Sequence, residues 1–129
     1  MIHILHPTLC FIGIPIQICP FPQFDLQAQL FVKSLTGEFQ LPSQKTMFQD
    51  TFEEKQAKTD AGVAARHFHK MGASQWEYNR SLCSLAHLNE IPNSVEKLYT
   101  DLWSHRRYHL TTYKKDSYIL EGPNSYRKL

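Results

Sequence analysis

Residues 11–37, "FIGIPIQICPFPQFDLQAQLFVKSLTG", carry the pattern that decides the fold. They open within a short apolar run, residues 8–14, which is bounded by Pro7 and Pro15 and has no polar alternation. Such a run is typical of a strand buried in a parallel sheet. After the prolines, apolar residues recur on one helical face up to Gly37, which predicts a helix with a glycine C-cap: Phe24, Ala28, Phe31 and Leu35. The stretch therefore predicts a strand, a loop and a helix.

The composition is that of one folded domain. The chain has 129 residues, of which 42% are hydrophobic and 12% aromatic, and this is enough material for a core. Fourteen Lys and Arg against twelve Asp and Glu give a net charge of +2, which provides no broad cationic surface for nucleic acid. The three cysteines show no C-x-x-C spacing and favour free thiols in a reducing compartment. We therefore expect a cytosolic protein, or one at the cytosolic face of a membrane, with no nucleic-acid partner.

The first 32 residues are apolar without matching a targeting or membrane segment. They contain no Lys or Arg and a single acid, Asp25. The positive n-region and the cleavage site of a secretory signal are both missing. Prolines also interrupt the run well before the roughly 20 residues that a transmembrane helix needs. We therefore expect this segment to be buried against protein, and we expect no transmembrane segment.

Helix-capping and helix-breaking residues predict three further helices and a tail. Ser43, just after Pro42, predicts the N-cap of a second helix that stops at Gly62. Asn93 and Glu96 have capping-box spacing and predict the start of a fourth helix. Between them, four residues share one face of a third helix: Tyr78, Leu82, Leu85 and Ala86. The expected division is a strand, turn and helix over residues 1–42, a helical region over 43–113 and a loose tail over 114–129.

The sequence offers little that could carry chemistry alone. Its five glycines form neither a G-x-G-x-x-G fingerprint nor a Walker loop, and no G-x-S-x-G word occurs. His67 and His69 could share a metal on an extended segment, but further ligands are not evident, and hydrogen bonds to loop carbonyls are the competing interpretation. His105 and His109 lie one helical turn apart on a face that we interpret as solvated and basic. We therefore predict no metal site and no catalytic residue in this chain.

An ordered series of short sequence motifs resembles the C-terminal part of the flavin-containing monooxygenases. In that family an apolar strand ending in glycine is followed by a proline-rich turn, a P-x-x-[DE]-x-Q-A helix and then an L-P-S word. This chain has the corresponding residues in the same order and spacing: Pro22, Asp25, Gln27, Ala28, Gly37, Leu41, Pro42, Ser43 and Met47. Later stretches, "RHFHKMGASQWEYNRSL" and "IPNSVEKLY", are also similar to the family tail, particularly in insects and other invertebrates.

The resemblance implies the fold and the reaction. It implies an α/β C-terminal portion of a flavoprotein with two dinucleotide-binding domains, here a re-entrant strand followed by about four helices. It also implies a reaction that uses FAD and NADPH to oxygenate nucleophilic nitrogen or sulfur in a small-molecule substrate. The family's two glycine fingerprints have no counterpart here, so the chain is expected to be a C-terminal fragment that is inactive alone.

The resemblance further implies which residues face the cofactor. The helix after the re-entrant strand would point its N-terminal amides, around Gln23 to Gln27, at the flavin ring. The implied cofactor-binding residues are Gly13, Gln23, Phe24, Asp25 and Gln27. Two of these retain structural alternatives, since Gly13 also fits a plain strand-end turn and Gln27 also fits packing between helices.

Two other functional interpretations remain open. A truncated product could be a non-catalytic helical module that binds a partner, or itself, through apolar surface, because an unpaired strand 8–14 would promote self-association. A related flavin-dependent ketone oxygenase fits less well, because the L-P-S and Q-W-E-Y words match the nitrogen and sulfur oxygenases better.

Overall fold

The computed structural model describes all 129 residues, which form two compact units, 1–88 and 89–129. The first unit contains helices α1 (Pro20–Thr36), α2 (Gln44–Asp60) and α3 (Gln75–Ala86). The second contains helix α4 (Asn93–Tyr108) and the antiparallel strands β1 (Tyr118–Leu120) and β2 (Tyr126–Lys128). The α/β class with four helices is confirmed. The boundary between the units falls inside the expected helical region 43–113.

Residues 8–14 do not form a regular strand. Cys10 makes one isolated antiparallel bridge to Ile2, and Ile16 makes a parallel bridge to Lys70. The apolar side chains of the run are 43–50% exposed: Leu9, Phe11, Ile12 and Ile14. The expectation of a buried strand here is therefore wrong for this chain. The only sheet is the β1–β2 hairpin, so residues 8–14 have no neighbouring strand with which to pair.

Helix α1 ends where the sequence predicted but buries a different face. Gly37 follows it with a φ of +80°, the left-handed conformation of a C-cap glycine. The predicted face is only half-buried at Phe24, Ala28 and Phe31, and Leu35 is 54% exposed. The buried residues lie on the neighbouring face of the helix and include two glutamines: Gln23, Leu26, Gln27 and Leu30. Hydrogen bonds to the rest of the unit, described below, explain why glutamines occupy the inner face.

Helices α1 and α3 pack against each other and run in the same direction. The Cys19 amide at the start of α1 donates to Gln75 Oε1 at the start of α3, at 2.6 Å. At the other end, Lys33 Nζ donates to the Ala86 carbonyl at 2.9 Å. The core of the unit lies along this contact: Leu26, Leu30, Trp76, Leu82, Cys83 and Ala86. Of the predicted α3 face, Leu82 and Ala86 are buried, whereas Leu85 is exposed.

Helix α2 begins as predicted and buries no residue. The Ser43 hydroxyl accepts a hydrogen bond from the Thr46 amide at 3.1 Å, which confirms the predicted N-cap. Its apolar side chains remain largely in solvent, with Phe48 51% and Phe52 62% exposed. Local side-chain bonds along the helix, such as Lys58 to Glu54 at 2.5 Å, take the place of core contacts.

In the second unit, α4 starts at Asn93 as predicted, and the expected loose tail is instead an ordered hairpin. The N-cap of α4 is Pro92 without a side-chain bond, and Asn93 lies inside the helix with its Nδ2 donating to Asn124 Oδ1 at 3.1 Å. The hairpin that follows contacts α4 at several points, including Lys97 Nζ to the Asn124 carbonyl at 3.0 Å. The hydroxyl of Tyr126 also bonds Asp101, which raises the pKa of Tyr126 to about 12. These side-chain partners, 25 or more residues apart, are invisible to local sequence patterns.

Candidate functional site

A tight turn at Gly13 is fixed against one face of α1. Gly13 has a φ of +81°, and its amide donates to Gln27 Oε1 at 3.0 Å. A Cβ at this position would lie 3.0 Å from Phe24 Cζ, closer than side-chain carbons normally approach. The turn therefore requires glycine for its backbone conformation and for its contact with the Phe24 ring. Three of the five predicted cofactor-binding residues, Gly13, Phe24 and Gln27, are thus brought together.

The Gln27 amide connects this turn to α3. Gln27 is 1% exposed, and its Nε2 donates to the Tyr78 hydroxyl oxygen at 3.0 Å. Both ends of the amide therefore have protein partners. Burial raises the pKa of Tyr78, so the hydroxyl stays protonated at neutral pH. Sequence reasoning treated Tyr78 only as a packing residue, because 51 positions separate it from Gln27.

Gln23 and Asp25 lie apart from this cluster. Gln23 is fully buried, its Nε2 lies 3.5 Å from Met71 Sδ, and its Oε1 has no hydrogen-bond partner. Asp25 is exposed and accepts a hydrogen bond from Gln29 Nε2 at 2.7 Å. The buried carbonyl of Gln23 is a vacant acceptor inside the protein, whereas Asp25 interacts only with its own helix.

The start of α1 offers fewer amides than the sequence suggested. The helix begins at Pro20, so Gln23 to Gln27 lie beyond its free N-terminal amides, and the first turn holds no acid. Pro20 and Pro22 have no N–H, and the Cys19 amide already donates to Gln75. The Phe21 amide is therefore the donor left in the first turn. Because α1 and α3 are parallel, their N-termini lie at the same end of the unit, where their partial positive charges reinforce each other.

A cavity of about 630 Å³ borders Gln27 and Tyr78 within the first unit. Its wall is largely apolar and includes Phe11, Ile14 and Met71, while Glu54 and Lys58 of α2 contribute charge on one side. The cavity is open and can admit a small molecule or another protein segment.

No group of three or more side chains that could ligate a metal ion occurs in the structure. His67 Nε2 accepts a hydrogen bond from Arg66 Nε, and the His69 carbonyl accepts one from the Ile16 amide. The predicted bonds from histidine side chains to loop carbonyls are thus not observed at His67. His105 lies 3.2 Å from Asp116 in the second unit and stacks on the His109 ring at 4.4 Å. Lys128, with further help from His105, lowers the pKa of the Asp116 carboxyl.

Comparison with known proteins finds relatives of this chain, although no family model matches it. The Arabidopsis thaliana flavin-containing monooxygenase FMO GS-OX-like 4 is 34% identical over 110 residues, which is 85% of this chain and 24% of that protein. FMO GS-OX-like 2 from the same plant is 36% identical over 96 residues, 74% of this chain and 21% of that protein. The solved structure of S-allyl-L-cysteine S-oxygenase from Allium sativum superposes with a TM-score of 0.79 and 29% identity, over 84% of this chain and 25% of that one.

These matches identify the fold as that of a C-terminal portion of an oxygenase. The chain is a homologue of the flavin-containing monooxygenases, which confirms the resemblance seen in the sequence. It spans about a quarter of the length of the relatives it matches. No helix combines the length and apolar character needed to cross a membrane.

Proposed function

We propose that the chain supplies the C-terminal part of a flavin-dependent monooxygenase that uses FAD and NADPH and oxygenates nucleophilic sulfur or nitrogen in small molecules. The observation that carries this proposal is the structural match, at 29% identity and a TM-score of 0.79, to an enzyme named for S-oxygenation. That match favours sulfur over nitrogen as the first substrate class to test. The proposed location is the cytosol or the cytosolic face of the endoplasmic reticulum.

The residues present fit one edge of a flavin ring and not the whole cofactor. The Phe21 amide and the aligned N-termini of α1 and α3 would favour the electron-rich edge of the ring. Gly13 would let the backbone approach the ring closely, and the Phe24 side chain, which contacts Gly13, would support the turn. Gln23 is fully buried, so its side chain would hold the start of α1 in place rather than contact the ring. FAD, when bound, supplies the redox chemistry, and these residues would orient the ring and keep water away.

The proposal assigns no independent catalysis to the 129 residues. A dinucleotide needs many phosphate contacts, and this chain has no glycine fingerprint to provide them. We expect the chain alone neither to retain FAD nor to oxidise NADPH. A non-catalytic binding module is a second candidate, favoured by the exposed apolar residues at the start of the first unit, such as Phe11 at 50% and Phe21 at 82% exposure. The same residues favour self-association of the isolated chain.

A chimera tests the proposal directly. The C-terminal quarter of the Allium sativum S-oxygenase is replaced by this chain, and FAD content, NADPH oxidation and sulfoxide formation are measured. The control is the same enzyme lacking that quarter. We expect the chimera to retain FAD and to oxygenate a thioether, and the truncated control to do neither. A folded chimera without FAD, or a truncated control that is equally active, would contradict the proposal and favour the binding module.

A further inference from the structure

The Gly13 turn depends on a residue from a distant helix. The Gly13 amide can only donate, so it fixes the orientation of the Gln27 side-chain amide, with Oε1 toward Gly13 and Nε2 away from it. In that orientation Nε2 requires an acceptor, and the Tyr78 hydroxyl oxygen provides it at 3.0 Å. Because Gln27 is 1% exposed, solvent is a poor substitute for that acceptor.

We propose that Tyr78 is a positioning residue that acts through Gln27 to hold the Gly13 turn in place. The inference rests on the proposed function, in which this turn lies against the flavin edge. It adds a residue that belongs neither to the turn nor to α1, and whose hydrogen-bonded link to Gly13 runs through the Gln27 amide. Tyr78 is suited to this role because its ring is anchored on α3, which itself packs along α1.

The hydrogen-bond chain from Gly13 through Gln27 to Tyr78, here called the relay, ends in a neutral hydroxyl. A phenolate would still accept from Gln27 Nε2, but burial disfavours the ionised form and keeps the proton on the oxygen. Because the hydroxyl oxygen accepts from Gln27, the hydroxyl can also donate its own proton, and both residues line the cavity. The relay thus spans three segments of the first unit, the turn at Gly13, α1 and α3.

The first experiment measures the relay without any cofactor. Amide hydrogen exchange at Gly13 is followed by NMR in the 129-residue chain and in Tyr78→Phe, which removes only the hydroxyl. We expect exchange at Gly13 to accelerate about fivefold or more, the effect of weakening one hydrogen bond. Tyr108→Phe is the matched control, since Tyr108 is 82% exposed, and it should leave Gly13 unchanged. Unaltered exchange at Gly13 in Tyr78→Phe overturns the proposal.

A double-substitution cycle tests whether Tyr78 acts through Gln27. Gln27→Leu alone should accelerate exchange at Gly13 at least as much as Tyr78→Phe does. Adding Tyr78→Phe to Gln27→Leu should then change little, because the connecting amide is already gone. Effects that multiply independently would show that Tyr78 influences the turn by another route and would contradict the relay.

The second experiment connects the relay to the flavin in the chimera described above. With Tyr78→Phe we expect a lower ratio of sulfoxide formed to NADPH consumed at equal FAD content, and a shifted absorption spectrum of the bound flavin. Leu82→Ala is the control for simple destabilisation and should lower the melting temperature without changing that ratio. An unchanged ratio and spectrum in Tyr78→Phe overturn the positioning role. If the unsubstituted chimera holds no FAD, the proposed function fails, and Gly13 exchange in the 129-residue chain still decides the relay.

Discussion

Helices α1 and α2 are both 17 residues long, yet they are stabilised in different ways. Helix α1 buries four residues and is joined to α3 by side-chain bonds at both ends. Helix α2 buries none and relies on its Ser43 cap and on bonds between residues four apart. The difference shows that α2 is held by its N-cap, its local pairs and one side-chain bond to the following loop, while the candidate site is built where helices share an interior.

Truncation of a buried leucine should show most clearly that α1 and α2 are stabilised differently. Leu30 of α1 is 4% exposed, whereas Phe52 of α2 is 62% exposed. We expect Leu30→Ala to lower the free energy of unfolding by about 2–5 kcal/mol, because it removes buried carbon and leaves a cavity. Phe52→Ala should change it by less than about 0.5 kcal/mol. Urea unfolding followed by circular dichroism measures both, and equal losses would show that α2 is also part of the core.

This contrast explains what the sequence could and could not predict. Helix ends depend on residues within one turn, so Ser43 and Gly37 were assigned correctly from the sequence. The inner face of α1 was misassigned because apolar periodicity does not detect buried glutamines, and the partners of Gln27 lie 14 and 51 residues away. In the same way, the apolar run 8–14 predicted a strand, although strand formation requires a neighbouring strand that this chain does not provide.

Two glycines with nearly the same backbone conformation can isolate the contact that shapes the candidate site. Gly13 and Gly37 have φ values of +81° and +80°, but only Gly13 has a side chain against its missing Cβ. Gly37→Ala should cost about 1 kcal/mol through backbone strain alone. Gly13→Ala should cost about 1–3 kcal/mol, since the Phe24 ring must also move. Similar losses of unfolding free energy for the two variants would contradict the proposed tight packing of Phe24 under the turn.

The N-cap should contribute a large share of the stability of α2, because few other contacts stabilise that helix. Ser43→Ala removes the acceptor of the Thr46 amide and should cost about 1 kcal/mol. The effect should be confined to the first turns of α2, visible as faster amide exchange there while α1 and α3 remain protected. Ser43→Asp retains an acceptor and should restore protection. Loss of protection throughout the unit would instead mean that α2 folds cooperatively with the core.

The smallest expected effect comes from the ion pair on α2. Lys58 Nζ lies 2.5 Å from Glu54 and also donates to the Phe68 carbonyl at 2.8 Å, so it connects the helix to the loop that follows. Glu54→Gln removes the charge partner and keeps the bond to the loop, and it should cost less than about 0.5 kcal/mol because the pair is exposed and screened by salt. Lys58→Met removes both interactions and should cost more, with faster hydrogen exchange in residues 64–70. Raising the salt concentration should abolish the effect of Glu54→Gln and leave that of Lys58→Met largely intact, because the bond to a half-buried carbonyl is screened less than the exposed pair. If both variants responded equally to salt, the bond to Phe68 would add nothing, and α2 would be stabilised only by contacts within itself.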